Sequence, residues 1–165
     1  MSKTVRWFKL PLFSAIYVGI DEDAQWYVDP QHPEPAENPR SAMLLLPFMA
    51  AGYGGSYETA VRILRSALEQ SGLSADLAET FPFHVPVLHA FQLGSGWTEP
   101  AVDWLPHLEL TESQAYLVFV ACQNRAITQK VRHIALAQIH RWEEAHGLRF
   151  IRPQADHRRT ADLDP

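Results

Sequence analysis

The chain has 165 residues and a formal net charge of −5 at pH 7, with 47% hydrophobic and 20% charged residues. This composition is typical of a folded globular domain and excludes an intrinsically disordered chain. The length suffices for one domain with a substantial core. The longest apolar run, residues 42–51, is interrupted by Pro47 and is too short to cross a bilayer, so we expect no membrane partner.

The N-terminus imitates a signal peptide, because three cations precede an apolar stretch that begins at Leu10. Residues 17–25, YVGIDEDAQ, are however bulky or acidic where a cleavage site needs small residues. The single cysteine, Cys122, cannot form an internal disulfide framework. We therefore interpret the segment as part of the fold and expect a cytoplasmic protein.

The first 28 residues predict a β-hairpin. Residues 14–20, SAIYVGI, and 24–28, AQWYV, are rich in β-branched and aromatic residues, and the acidic residues 21–23 between them suit a hairpin loop. Residues 29–40 contain four prolines and predict a loop that avoids helix and sheet interiors.

The next segments predict helices and one long loop. Residues 41–52 allow either a helix or a buried irregular segment. Ser56 is placed to cap a helix with an apolar stripe that ends near Gly72, and Ser74 precedes a shorter helix. Residues 82–110 again contain four prolines, and we expect an apolar loop that covers the core.

Two further helices complete the body. Thr111 and Gln114 have the spacing of a capping box, and the helix that they open has apolar residues all around its axis, so we predict a central buried helix ending at Cys122. Another helix is predicted from Thr128 to Gly147. The expected fold is α+β, a single domain with an N-terminal β-hairpin (1–28), a proline-rich loop (29–40), a mainly helical body (41–147) and a short strand with a polar tail (148–165).

Charge is distributed unevenly along the chain. Residues 1–124 carry six cations and fourteen acids, whereas residues 125–165 carry eight cations and five acids. Lys130 and Arg132 lie in the first turns of the last helix, where the helix dipole opposes cations by roughly 0.3–1 kcal/mol each. Two ordinary explanations are that an acid such as Glu109 or Glu112 covers the helix start, or that the penalty is tolerated. A basic end on an acidic body also favours an anionic partner.

The last helix divides into an apolar and a polar side at 100° per residue. The apolar side is Val131, Ile134, Ala135, Gln138, Ile139, Trp142 and Ala145, and the polar side is Gln129, Lys130, Arg132, His133, His140, Arg141, Glu143 and Glu144. Five tryptophans exceed what one small core normally holds, and tryptophan is enriched at interfaces. The predicted partner-binding residues are therefore Arg125, Lys130, Arg132, His133, His140, Arg141, Trp97 and Trp104.

The motifs of common catalytic and metal sites are missing from the sequence. It has no CxxC or HExxH, no P-loop, no Rossmann fingerprint and no GxSxG, so we predict no metal, no cofactor and no catalytic residue. His140 and Glu144 have the spacing of an ordinary surface pair. His84 and His89 are the remaining acid–base candidates, although partly buried histidines more often have a backbone partner.

Three functions remain open. We expect first a non-catalytic protein-binding module, such as an adaptor, inhibitor, immunity protein or accessory subunit, with an acidic protein partner. The alternative is a nucleic-acid-binding or ribonucleoprotein subunit that uses the same basic face, and the second alternative is a small enzyme with a histidine near residues 84–89. The sequence leaves the oligomeric state open.

Two stretches bear on the nucleic-acid alternative. Residues 110–130, LTESQAYLVFVACQNRAITQK, and 139–153, IHRWEEAHGLRFIRP, resemble pieces of helix-turn-helix DNA-binding domains of the LysR or MarR type. The resemblance implies DNA binding, but residues 128–147 predict one uninterrupted helix where those families have a turn between two helices. The chain is therefore not assigned to either family.

Overall fold

The computed structural model describes residues 4–11, 16–50 and 55–153, which form an α+β fold. The predicted polar tail beyond residue 153 lies outside these ranges. The strands are β1 (Arg6–Leu10), β2 (Ile16–Ile20), β3 (Trp26–Val28) and β4 (Glu34–Pro35). The α-helices are α1 (Pro39–Leu45), α2 (Tyr57–Gln70), α3 (His84–Leu93), α4 (Thr98–Trp104), α5 (Glu112–Ala121) and α6 (Gln129–His146). Short 3-10 helices cover Leu46–Met49, Ala75–Thr80 and Leu105–His107.

The four strands form one antiparallel sheet in the order β1-β2-β3-β4. The predicted hairpin is confirmed, since β2 pairs with β3 and Val18 lies opposite Val28. The carboxylate of Asp21 organises the acidic loop by accepting hydrogen bonds from the backbone N–H groups of Asp23 and Gln25, both at 2.9 Å. This carboxylate is therefore part of the turn.

The proline-rich segment joins the sheet only at its edge. The two residues of β4 pair with β3, where a proline does not interrupt an interior ladder. Pro39 takes the first position of α1, where its missing N–H has no intrahelical partner in any case. Asn38 caps this helix by accepting a hydrogen bond from the Arg40 N–H at 3.0 Å.

The predicted long loop over residues 82–110 is wrong, because this segment contains the helices α3 and α4. Pro86 and Pro100 each occupy the third position of their helix. An N–H group in the first turn has no intrahelical acceptor, so proline is tolerated there. The prolines that predicted a loop mark the starts of helices.

Helix α3 takes the central place that the sequence predicted for α5. It contacts α1, α4 and α5. Its buried residues are Val85, Pro86, Val87, Ala90 and Phe91. Helix α5 buries Ala115, Val118 and Phe119 but leaves Tyr116 38% exposed, so the described residues leave part of one side of this helix uncovered.

A chain of aromatic rings joins the sheet to the helices. Trp26 of β3 contacts Phe8 of β1 with ring centroids 6.1 Å apart and Phe81 with centroids 5.0 Å apart. Phe81 contacts Phe83 at 4.8 Å, and Phe83 contacts Trp104 of α4 at 5.9 Å. The core is therefore continuous from the sheet to α4.

The strand predicted over residues 148–152 is also wrong, since the described part of this segment forms no strand. The ring of Phe150 instead stacks on Trp142 of α6 with centroids 5.7 Å apart. The Phe150 N–H donates to the carboxylate of Glu143. A side-chain acceptor thus takes the place that a neighbouring strand would have had in the predicted strand.

Cys122 follows α5 and is 3% exposed, which confirms its predicted burial. Burial raises the pKa of its thiol to about 11, although the charge of Arg132 acts in the opposite direction. The thiolate is the reactive form of cysteine. Cys122 is therefore protected at neutral pH both because it is buried and because its thiol stays protonated.

We therefore predict that Cys122 resists a thiol reagent in the folded protein and reacts fully in denaturant. Cys122 is the only cysteine in the sequence, so mass spectrometry of the labelled chain reports on this site alone. Labelling of the native protein at the rate of the denatured one would contradict the burial.

Candidate partner interface

Helix α6 begins and ends where the sequence predicted. The Thr128 hydroxyl accepts a hydrogen bond from the Val131 N–H at 3.4 Å, and Gly147 ends the helix in the left-handed conformation with φ 65°. The Leu148 N–H donates to the Glu143 carbonyl at 3.0 Å and closes the C-terminal cap. The basic segment is therefore carried by one rigid helix of 18 residues.

The buried face of α6 is rotated from the predicted one. Val131, Ala135, Ile139 and Glu143 are its buried residues. Arg132 is half-buried and Ala145 is exposed, the reverse of what the pattern predicted. At 100° per residue the centre of burial moves by about 50° toward the side that carries Arg132 and Glu143.

An open basic stripe remains on the opposite side, and we define it as Lys130, His133 and Arg141. All three side chains are exposed. They fall within about 80° of the helix circumference at 100° per residue, and Lys130 and Arg141 are about 16 Å apart along the axis at 1.5 Å per residue. No acid within residues 4–11, 16–50 or 55–153 forms an ion pair with them. Arg125, in the turn between α5 and α6, is likewise exposed and unpaired over these ranges.

Acids border the basic stripe at both ends. Glu99 and Asp103 of α4 line a cleft of about 350 Å³ together with Lys130. Glu144 lies on the stripe beyond Arg141 and is exposed. The first turn of α6 itself contains no acid. Lys130 therefore shares a cleft with two carboxylates of α4 but forms no ion pair with either.

Arg132 is not part of the basic stripe. Its side chain is half-buried, and its Nε is buried with no hydrogen-bond acceptor among the described residues. Its charge acts on the Cys122 thiol. The prediction that Arg132 belongs to an exposed polar face is therefore wrong.

His140 forms an internal pair instead of contributing a free charge. Its Nδ1 lies 2.6 Å from Oε2 of Glu143, whose side chain is 3% exposed. The expected partner, Glu144, is not the one that the helix uses. The placement of Glu143 on the polar side is also wrong.

The pKa of the Glu143 carboxyl lies below its ordinary value of 4.5. Burial alone would raise this pKa, but hydrogen bonds from the Phe150 N–H and from His140 outweigh that effect. The charges of His140 and Arg149 lower it further. Glu143 is therefore an ionised, buried carboxylate that ties the segment after α6 to the helix.

The two predicted interface tryptophans lie in different environments. Trp104 is 0% exposed, and its indole N–H donates to the Gly55 carbonyl at 3.0 Å. A partner cannot reach this side chain in the folded protein, so its prediction as a binding residue does not fit the structure. Trp97 precedes α4 and is half-buried.

The two candidate acid–base histidines do not form a common site. His84 and His89 are five residues apart on α3, so they point in directions that differ by about 140°. Burial lowers the pKa of His84, although the charge of Glu37 acts in the opposite direction. Nε2 of His89 is buried with no hydrogen-bond partner among the described residues. Among the described residues, neither histidine forms a hydrogen bond with a serine, threonine or cysteine side chain.

The sequence did not predict an apolar groove of about 460 Å³ between α3 and α5. Its lining residues are Phe91, Gln92, Ser113, Tyr116, Leu117, Val120, Ala121 and Asn124. The pattern of α5 contained the relevant signal, because its apolar residues surround the axis. An apolar circumference predicts complete burial within the chain, whereas part of α5 lines this groove.

We predict that Trp104→Ala lowers the free energy of unfolding by about 3–5 kcal/mol, the usual cost of truncating a buried aromatic residue to alanine. Trp97→Ala is the matched control and should cost clearly less, because Trp97 is only half-buried. Urea denaturation of both variants measures the difference. Equal losses would contradict the different burial of the two rings.

We predict that the stabilising effect of the Glu143 charge disappears in acid. A carboxyl whose folded pKa is depressed stabilises the fold above its unfolded pKa, and this contribution is lost as pH falls through the folded pKa. The difference in unfolding free energy between wild type and Glu143→Gln should therefore shrink below pH 4.5.

Urea denaturation over a pH series measures this difference, and the same pair of proteins with His140→Gln separates the carboxylate from its histidine partner. A wild-type advantage that is unchanged at low pH would show that the charge of Glu143 does not stabilise the fold.

Known proteins offer no functional assignment for this chain. Neither protein-family models nor curated proteins nor solved structures give a match to this chain. Within the described ranges, no three His, Cys, Asp or Glu side chains are grouped to hold a metal ion. Over the same residues, no helix combines the length and apolar character that crossing a bilayer requires. A function for this chain therefore has to be inferred from its own surface charges and grooves.

Proposed function

We propose that the chain is a non-catalytic protein-binding module that docks an acidic partner through the basic stripe of α6, with Arg125 beside it. The observation that carries the proposal is that Lys130, His133 and Arg141 are exposed on one side of α6 without an ion pair among the described residues. Complementary charge on a partner gives such a surface orientation and specificity. Trp104 is not part of the proposed interface, because its side chain is buried.

The mixed charge around the stripe favours a protein over nucleic acid as the partner. Glu99 and Asp103 lie near Lys130, and Glu144 follows Arg141. A continuous phosphate backbone would be repelled by these carboxylates, whereas a protein surface can match an alternating pattern. The net charge of −5 also opposes non-specific binding to nucleic acid.

We predict that the double variant Lys130→Glu/Arg141→Glu loses the partner. Reversing two exposed charges turns attraction into repulsion worth about 1.4 kcal/mol, which weakens binding roughly tenfold. The fold should persist, since an acid near the start of α6 interacts favourably with the helix dipole. The measurement is affinity capture from nuclease-treated lysate of the source organism, followed by the dissociation constant of the captured acidic protein.

The matched control is Arg40→Glu/Arg62→Glu, which makes the same charge change at exposed cations of α1 and α2. This control should keep the partner. Capture that is lost on nuclease treatment, together with salt-dependent binding of oligonucleotides that the α6 reversal abolishes, would replace the protein partner by a nucleic acid. Equal binding by wild type and the α6 variant would remove the basic stripe from the interface.

A further inference from the structure

Helix α5 has more apolar surface than the described chain covers. Tyr116 is 38% exposed, and Leu117 and Val120 are half-buried along the groove between α3 and α5. Phe91 of α3, which is 1% exposed, lies at the same groove and connects it to the core. Apolar side chains that line a concave surface on one side of a helix are the usual receptor for an apolar partner segment.

The groove is preformed by rigid elements. Helix α5 is fixed at its start by a complete capping box between Thr111 and Gln114. Gly94 ends α3 with φ 61°, and the amide of Asn124 lies 2.5 Å from the place where a Cβ at Gly94 would stand. The end of α3 therefore lies close against the turn that follows α5. A partner therefore meets an open groove and does not have to create it.

The charges around the groove favour an acidic occupant. Arg125 directly follows Asn124 at one end of the groove. Arg149 and Arg152 lie on either side of Phe150 and Ile151 in sequence, and the Phe150 ring is 5.4 Å from the ring of Tyr116. These three arginines are exposed and form no ion pair with any acid in the described ranges. Glu112 lies at the opposite end of α5 from Arg125, and none of the residues that line the groove is acidic.

We propose that this groove binds an amphipathic, acidic α-helix of a partner protein. Within α5 the wall extends from Ser113 to Ala121, about 12 Å at 1.5 Å per residue, which matches about two turns of a docked helix. Apolar residues of that helix at i, i+4 and i+7 enter the groove, and its Asp and Glu side chains face Arg125 and Arg149. The groove contains no residue of the basic stripe of α6, and the two proposed surfaces have only Arg125 in common.

The test is selection of helical peptides from a random library displayed on phage, with the full chain as the target. The enriched peptides should combine the i, i+4, i+7 apolar repeat with acidic flanks. Val120→Glu puts a charge into the groove, and Ala121→Phe fills it with an apolar ring. Each should weaken the selected peptides roughly tenfold or more, as expected when the centre of an interface is blocked. Arg125→Glu should weaken them less, by an amount that decreases with salt.

Two controls distinguish this inference from the proposed function. Met43→Glu introduces the same charge at another exposed apolar position, on α1, and should leave peptide binding unchanged. The Lys130→Glu/Arg141→Glu variant should also bind the peptides as wild type does, even if it loses the partner of α6. If Val120→Glu fails to fold, as judged by its melting temperature, Ala121→Phe decides alone because it adds no buried charge.

Four outcomes would overturn the proposal. They are the absence of any enriched peptide, enriched peptides without the apolar repeat or with basic flanks, and binding that survives Ala121→Phe. The fourth is concentration-dependent self-association of the chain that Ala121→Phe abolishes, since the occupant would then be a second copy of this chain.

Discussion

The aromatic chain between the sheet and the helices is the contact on which the remaining structure depends. Trp26 and Trp104 lie near its two ends, and both are almost completely buried. An unpaired buried N–H costs about 1–3 kcal/mol, so each indole needs an acceptor. Trp26 donates to the Thr80 hydroxyl at 2.8 Å, and Trp104 donates to the Gly55 carbonyl at 3.0 Å. Large rings supply the buried area, and the two hydrogen bonds fix where neighbouring segments lie.

This core also changes the meaning of the tryptophan content. Five tryptophans in 165 residues favoured an interface on composition alone. Trp26 and Trp104 instead belong to the buried aromatic chain. Trp142 donates its indole N–H to the Leu110 carbonyl at 3.0 Å and stacks on Phe150. The features that favour a partner are then exposed cations without an ion pair and apolar surface without cover, both within the described part of the chain. Both are properties of the folded chain that composition does not contain.

Local signals predicted the fold well where a helix is amphipathic or capped. Ser56, Thr111 and Thr128 each accept the backbone hydrogen bond that the sequence implied. The same approach failed for α3 and α4, which are short and rich in apolar residues and have a proline in the first turn. A helix buried on most sides has no apolar stripe to detect. A proline is compatible with a helix when it lies in the first turn, so the start of the helix must be predicted first. No capping side chain marks the start of α3 or α4.

The candidate site was predicted in part, because a helical pattern gives the faces of α6 but not what covers them. Lys130, His133 and Arg141 are exposed as expected. Arg132 and Glu143 are drawn into the buried side, and the segment that carries Phe150 folds back and bonds to Glu143. Helix α5 shows the converse, since its apolar circumference predicted burial on every side and the described chain covers only part of it. The apolar residues on the remaining side of α5 are still more stable when they are buried. This side therefore favours a partner that buries them.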